Sequence, residues 1–301
     1  MCLGIVDYIS ALVIECMSSH VSGASLTTID YCRLWDEQHA RSTAQKEKMG
    51  EGGGKFWSDQ GVVDRFSQNV ISGDPSRMQK QIEEMRIPKG SSVLDIGAGP
   101  GTLAVPLALA GCSVTTVEPS EPMGVAMERY RRTMNAPPIR EIRKRWEDVT
   151  PEEAGVHDVV VASRSLIMGD IRNSLLKMDA AARHAVHLYW FLTPPSSSGG
   201  NVELWPLLHG EPYCSEADAD ILWNALCQLG IYANIMVETK DKSQHYASFS
   251  TMQEDYYNRM SVSEEWQRNI VDAFLLDRAV REESGYVVPG VSRTAHIWWE
   301  K

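Results

Sequence analysis

From Ser92 onward the chain alternates short apolar runs with longer amphipathic ones. Ser92-Val93-Leu94-Asp95-Ile96, Ser113–Val117, Asp158–Ala162 and Ala185–Phe191 are brief and rich in β-branched or aliphatic residues. That pattern suits strands buried on both faces of a parallel sheet. A weaker strand is read at Ile139–Arg143. Between the strands, Leu103–Ala110 and Pro119–Arg132 carry helical patterns, the first closed by Gly111. Upstream, Phe56, Val63, Phe66 and Val70 recur at helical spacing. A further helix spans Pro75–Met85 and is stopped by Pro88-Lys89-Gly90. Strands alternating with helices predict an α/β, doubly wound, mostly parallel sheet.

The pattern changes after Phe191. Breakers from Thr193 to Gly200 open a Trp- and Tyr-rich stretch that holds a helix at Ser215–Leu229 and a sixth strand at Ile231–Glu238. A helix over Ser263–Arg281 and a strand over Thr294–Trp299 end the chain. The organisation expected is therefore fourfold. Residues 1–55 form an N-terminal helical extension ending in the glycine-rich break at 50–54, and 56–192 form the core. Residues 193–260 form a small insertion that includes the sixth strand, and 261–301 supply the last helix and strand.

Directly after the first strand, Asp95-Ile96-Gly97-Ala98-Gly99-Pro100-Gly101 reads D-x-G-x-G-x-G and leads into a helix. Glycines let the backbone turn tightly and let a ligand approach without meeting a Cβ. In a twisted parallel sheet such a turn lies outside the carboxyl ends of the strands, where ligands bind. An acid ending the second strand can accept hydrogen bonds from ribose hydroxyls, and Glu118 has that position. A nicotinamide site would need G-x-G-x-x-G. Counted from Gly97 and Gly99, the third glycine falls on Thr102, and Gly101 comes one residue early.

With Val117-Glu118-Pro119-Ser120 and the later Asp158–Ser163 in order, the sequence resembles the class I S-adenosylmethionine-dependent methyltransferases from Phe56 to Phe191. The resemblance implies a seven-stranded Rossmann-like sheet with N-terminal helices, S-adenosylmethionine as cofactor, and transfer of its methyl group. It implies that the backbone of Gly97, Ala98, Gly99 and Gly101 faces the methionine part, with Asp95 orienting the loop or taking the amino group. Glu118 would hold the ribose, and Pro119 and Met123 would flank the adenine. Trp146 and Glu147 match the adenine-contacting loop after the third strand, with Asp148 an alternative to Glu147. Ser163 would end the fourth strand beside the methionine moiety. Phe56, Trp57 and Phe66 lie on the helix that often lids this cofactor.

The acceptor half is less legible. Ser163-Arg164-Ser165-Leu166 stands where nucleobase amino-methylating relatives carry N/D-P-P-Y/F/W, and no Pro-Cys nucleophile occurs. Trp57, Trp205, His209 and Tyr213 are the candidate substrate-lining residues. His184, His187, His209, His245 and Tyr213 are residues of the right type for a general base, and none stands out as catalytic. The net charge of -11 argues against a nucleic-acid partner, despite the Arg-rich run from Arg131 to Arg145. A small molecule or a protein side chain is the expected acceptor. Six scattered cysteines without a C-x-x-C pair suggest reduced thiols in a cytoplasm and no bound metal. Met1–Met17, interrupted by Asp7 and Glu15, is too short and too charged to span a membrane.

Overall fold

The structure is a computed structural model, described here for residues 29–48, 57–71, 75–193 and 200–301. Phe56, the glycine-rich break at 50–54 and the N-terminal apolar stretch lie outside the described residues. In chain order the main elements begin with helices α1 (Tyr31–Lys48), α2 (Gln60–Ile71) and α3 (Pro75–Met85). The core then runs β1 (Ser92–Ile96), α4 (Ala104–Leu109), β2 (Ser113–Val117), α5 (Glu121–Thr133) and β3 (Arg140–Ile142). It continues with α6 (Pro151–Ala154), β4 (His157–Ser163), α7 (Ile171–Ala181) and β5 (Ala182–Phe191). After residue 200 come α8 (Asn201–His209), α9 (Ala219–Gln228), β6 (Asn234–Asp241), β7 (Gln244–Tyr246), α10 (Phe249–Arg259) and α11 (Glu265–Arg278). Strands β8 (Val280–Glu282), β9 (Gly285–Val288) and β10 (Val291–Glu300) finish the chain.

Seven strands form one sheet in the order β3-β2-β1-β4-β5-β10-β6. The first five are parallel, and β10 is antiparallel to both neighbours. The expected doubly wound sheet is therefore present, with an antiparallel strand near one edge. Strand order reverses between β1 and β4, so the crevice at their carboxyl ends is the natural ligand position.

Val93, Leu94, Val160, Val161, Ala162, Val186 and Leu188 are all fully covered, because helices lie on both faces. On one face α7 and α9 complete a core with Leu94, Leu188 and Trp190, and Trp35 of α1 enters the same core. Fully burying one such Leu contributes about 1.5–3 kcal/mol. The Trp35 indole N–H donates to the Met168 carbonyl at 3.0 Å, and its ring lies 5.8 Å from that of Trp190. Residues 31–48 are thus an integral wall of the domain rather than an appended extension. On the other face Met85, Val105 and Leu107 pack against Val93, Val161 and Tyr189.

The insertion differs from its sequence-based outline. Helix α9 packs on the main sheet in the ordinary way, while α8 joins α10 and α11 around Leu204, Met252, Tyr256, Val271 and Leu275. A second sheet, β7-β9-β8, belongs to the same region. The accessory unit is therefore assembled from two pieces, one before β6 and one between β6 and β10. Helix α11, expected within the core, packs in this unit because its apolar stripe meets α8 and α10 instead of the sheet.

Candidate functional site

The turn after β1 is held in a left-handed backbone at three places, with φ of 69° at Gly97, 54° at Gly99 and 81° at Gly101. The three glycines serve different ends. A Cβ on Gly97 would lie 2.2 Å from Ser165 Cβ, across the switch point between β1 and β4. A Cβ on Gly101 would lie 2.5 Å from Met127 Cγ on α5. A Cβ on Gly99 would meet nothing within 4 Å. Packing thus explains Gly97 and Gly101, whereas Gly99 faces open space.

Hydrogen bonds fix the turn. Gly97 N–H donates to the Val117 carbonyl at 2.7 Å, and Ser165 Oγ donates to the Ile96 carbonyl at 2.5 Å. Ala98 is buried beneath the turn with Leu103 and Ala104. At the end of β2, Glu118 accepts from Gly99 N–H at 2.8 Å and from Ser120 N–H at 2.9 Å. Its carboxylate joins the glycine turn to the start of α5. Burial raises the Glu118 pKa above the usual carboxylate range, and the two N–H donors oppose that. Asp95 is 2% exposed, and its Oδ2 has no hydrogen-bond partner among the described residues. Burial, followed by the nearby Glu118 charge, pushes its pKa up to about 7. Two acids and an open glycine therefore meet at one turn.

The roof over α5 comes from α2. Trp57, Val63, Met123 and Ala126 form a small apolar cluster, and the rings of Trp57 and Phe66 stack edge to face at 5.0 Å. Ser120 caps α5 by accepting from Met123 N–H, while its hydroxyl donates to the Trp57 carbonyl at 2.6 Å. Trp57 therefore sits with Met123 and Ser120, among the residues expected around adenine. Pro119 is exposed beside this cluster.

Trp146 is placed differently from its expected role. Its side chain is 3% exposed, its indole N–H donates to the Ser174 carbonyl, and Lys177 Nζ lies 4.5 Å over its ring. The indole is a core residue, turned inward by the short helical turn Trp146–Asp148. Glu147 stays partly exposed, its carbonyl near Lys177, and Asp148 is paired with Arg145. Ser163 ends β4, and its hydroxyl accepts from Gln81 of α3 at 3.0 Å.

Trp205, His209 and Tyr213 do come together. The Trp205 ring lies 3.8 Å from that of His209 and 6.1 Å from that of Tyr213. Gln45 of α1 ties this segment down through the Pro212 carbonyl and Cys214 N–H. Among the base candidates, His184 lies near Asp158 at the amino ends of β4 and β5, away from the crevice. His187 is paired with His296 at 2.9 Å, and burial pulls its pKa down to about 4. His245 lies on β7 of the small sheet.

Sequence reasoning missed Ser165 and Gln81, which contact the turn and the end of β4 through space. Only the compulsory glycine at 97 hinted that something approaches there.

No protein-family model matches the chain. An uncharacterised protein of Haemophilus influenzae (strain Rd) is 25% identical over 244 residues, covering 81% of this chain and 88% of that one. Among solved structures, the YcgJ protein of Bacillus subtilis aligns at 13% identity with a TM-score of 0.51, over 74% of this chain and 97% of that one. A methyltransferase candidate from Bacillus halodurans C-125 aligns at 13% identity with a TM-score of 0.52, over 75% and 99%. The likeness shows the fold: the seven-stranded, mostly parallel sheet expected from the sequence. Among the described residues, no helix is long and apolar enough to cross a membrane.

Proposed function

We propose that the chain is an S-adenosylmethionine-dependent methyltransferase acting on a small molecule or a protein side chain. The observation that carries this reading is the pairing of Gly99 with Glu118. Gly99 takes a left-handed backbone with no neighbour where its Cβ would be, while its N–H is held by an acid that ends β2. The left-handed backbone favours a glycine there, while packing makes no further demand for one. The open space over Gly99 is where a ligand can approach the chain closely. The unpartnered Asp95 Oδ2 at the same turn fits an ammonium or a bound water of the same ligand.

In this reading the backbone of Gly97, Ala98, Gly99 and Gly101, with Asp95, holds the methionine end. Glu118 takes the ribose, and Pro119, Met123 and Glu147 border the adenine under Trp57. Ser163 closes the methionine side through its link to Gln81. The bound cofactor supplies an already activated methyl group, so the protein's task is largely positioning. Helices α1 and α2 and the unit around α8 supply the cover that excludes water. Trp205, His209 and Tyr213, brought together beside α1, belong to that cover.

A second reading, a non-catalytic module that binds the cofactor, is favoured by one observation. The acids at the turn are buried or engaged by backbone N–H groups, and His184 and His187 are engaged elsewhere. Incubating the chain with methyl-labelled cofactor and cell extract, then separating metabolites, proteins and RNA, decides between them. Label in metabolites or proteins is the result expected. Label in none of the fractions favours the module, and label in RNA overturns the acceptor class.

A further inference from the structure

The two edges of the seven-stranded sheet differ. One ends in β3, only three residues long. The other ends in β6, eight residues from Asn234 to Asp241, which pairs with β10 along its whole length without a bulge. Short strands, prolines and bulges are the usual guards against edge-to-edge pairing. β6 contains neither proline nor glycine. Ile235, Met236 and Val237 are 41%, 42% and 51% exposed, so apolar side chains are open on both faces of the strand. Among the described residues, no strand lies outside β6.

Hydrogen bonding along β10 fixes which backbone groups of β6 point outward. Leu192 N–H donates to the Arg293 carbonyl and Lys301 N–H to the His184 carbonyl, so the odd-numbered residues of β10 bond β5. Its even-numbered residues bond β6, and just beyond them Lys242 N–H donates to the Gly290 carbonyl. By the alternation of an antiparallel ladder, the backbone groups of Ile235, Val237, Thr239 and Asp241 point to the open edge. A two-fold on Glu238 or on Lys240 would set like charges face to face, which is unfavourable. One on Val237 puts Glu238 opposite Met236 and Lys240 opposite Asn234, with no ion pair. One on Thr239 puts Glu238 opposite Lys240 twice and Thr239 opposite Thr239, all favourable cross-strand pairs. It also makes Thr239–Thr239 and Val237–Asp241 the hydrogen-bonded pairs, as the outward groups require. Within one chain Glu238 already holds Lys80 and Lys240, at 2.8 Å and 2.9 Å. The second copy extends that network rather than neutralising a bare cation.

We propose that β6 pairs with β6 of a second copy of this chain, antiparallel about a two-fold axis at Thr239, joining two sheets into one. An isologous contact of this kind closes on itself, so assembly stops at the dimer, with only the short β3 edges left open. The alternation Glu238-Thr239-Lys240 selects the register.

Sedimentation equilibrium of the full chain over a concentration series tests the pairing. A species of twice the 33.6 kDa chain mass, dissociating on dilution, is expected. Thr239→Pro removes an N–H that β10 does not use, so this variant should keep the circular dichroism of the parent chain and sediment as a monomer. Glu238→Lys and Lys240→Glu each set like charges opposite one another, and each should weaken the dimer at least roughly tenfold. Mixed in equal amounts, the two variants restore opposite charges at both pairs and should recover most of that loss, which a folding defect in either could not produce. A monomer at every concentration overturns the proposal. So does a dimer that Thr239→Pro or the single charge reversals leave intact, or a mixture that fails to recover.

Discussion

Gly97 and Gly99 are two residues apart, both left-handed, yet a side chain on each should fail for a different reason. In Gly97→Ala the new Cβ starts 2.2 Å from Ser165 Cβ and must retreat to the 3.4 Å of ordinary contact. Neither Cβ can swing aside, because each is fixed by its own backbone. The ends of β1 and β4 must therefore part, which for overpacking costs about 3 kcal/mol. The left-handed φ adds about 1 kcal/mol. In Gly99→Val only the backbone cost applies, about 1–2 kcal/mol, since no protein atom lies within 4 Å. Thermal denaturation should give a melting point a few degrees low for Gly99→Val and far lower for Gly97→Ala. Calorimetry should find that folded Gly99→Val has lost S-adenosylmethionine binding. Ser165→Gly removes the clashing atom and leaves Ser165 Cα at 3.5 Å, so the double variant Gly97→Ala/Ser165→Gly should recover about 2 kcal/mol over Gly97→Ala. Unchanged cofactor affinity in folded Gly99→Val would refute the reasoning, as would no recovery in the double variant.

The acids and the buried indole give further expectations. Asp95 has a folded pKa of about 7 against an ordinary 3.8, so its ionised form is the one disfavoured by folding. Its cost is absent below pH 4, grows as pH rises toward 7, and reaches at most about 4 kcal/mol above that. Asp95→Asn should therefore raise the melting point at pH 8 and change it little at pH 4; an equal gain at both would contradict this. Glu118→Gln keeps one acceptor oxygen where two N–H groups need partners, and calorimetry should show cofactor affinity down at least roughly tenfold with a loss of about 1 kcal/mol in stability. Trp146→Phe should cost about 1–2 kcal/mol in denaturant unfolding and leave cofactor affinity within about twofold; a large affinity loss at unchanged stability would return the indole to the adenine site.

The parallel core was legible because its strands are buried on both faces and so read as uninterrupted apolar runs. The glycine turn was legible for a related reason: left-handed backbone and close approach leave few residue types to choose from. Trp146 misled because an aromatic after the third strand looks the same whether it faces ligand or core. Only the Ser174 carbonyl and Lys177, about thirty residues on, decide which. Helix α8, with Pro206 inside it, and α10 were hidden by aromatic residues without clear helical spacing. The paired histidines on β5 and β10 were invisible for a topological reason. His187 and His296 are 109 residues apart and meet because the last strand inserts antiparallel beside the fifth.

The donor assignment is tested most directly by titrating the purified chain in a calorimeter with S-adenosylmethionine and, separately, with NAD. Saturable one-to-one binding of S-adenosylmethionine, lost in Gly99→Val, with no heat from NAD, is the result expected. Binding of NAD without binding of the sulfonium cofactor would contradict the account at its root.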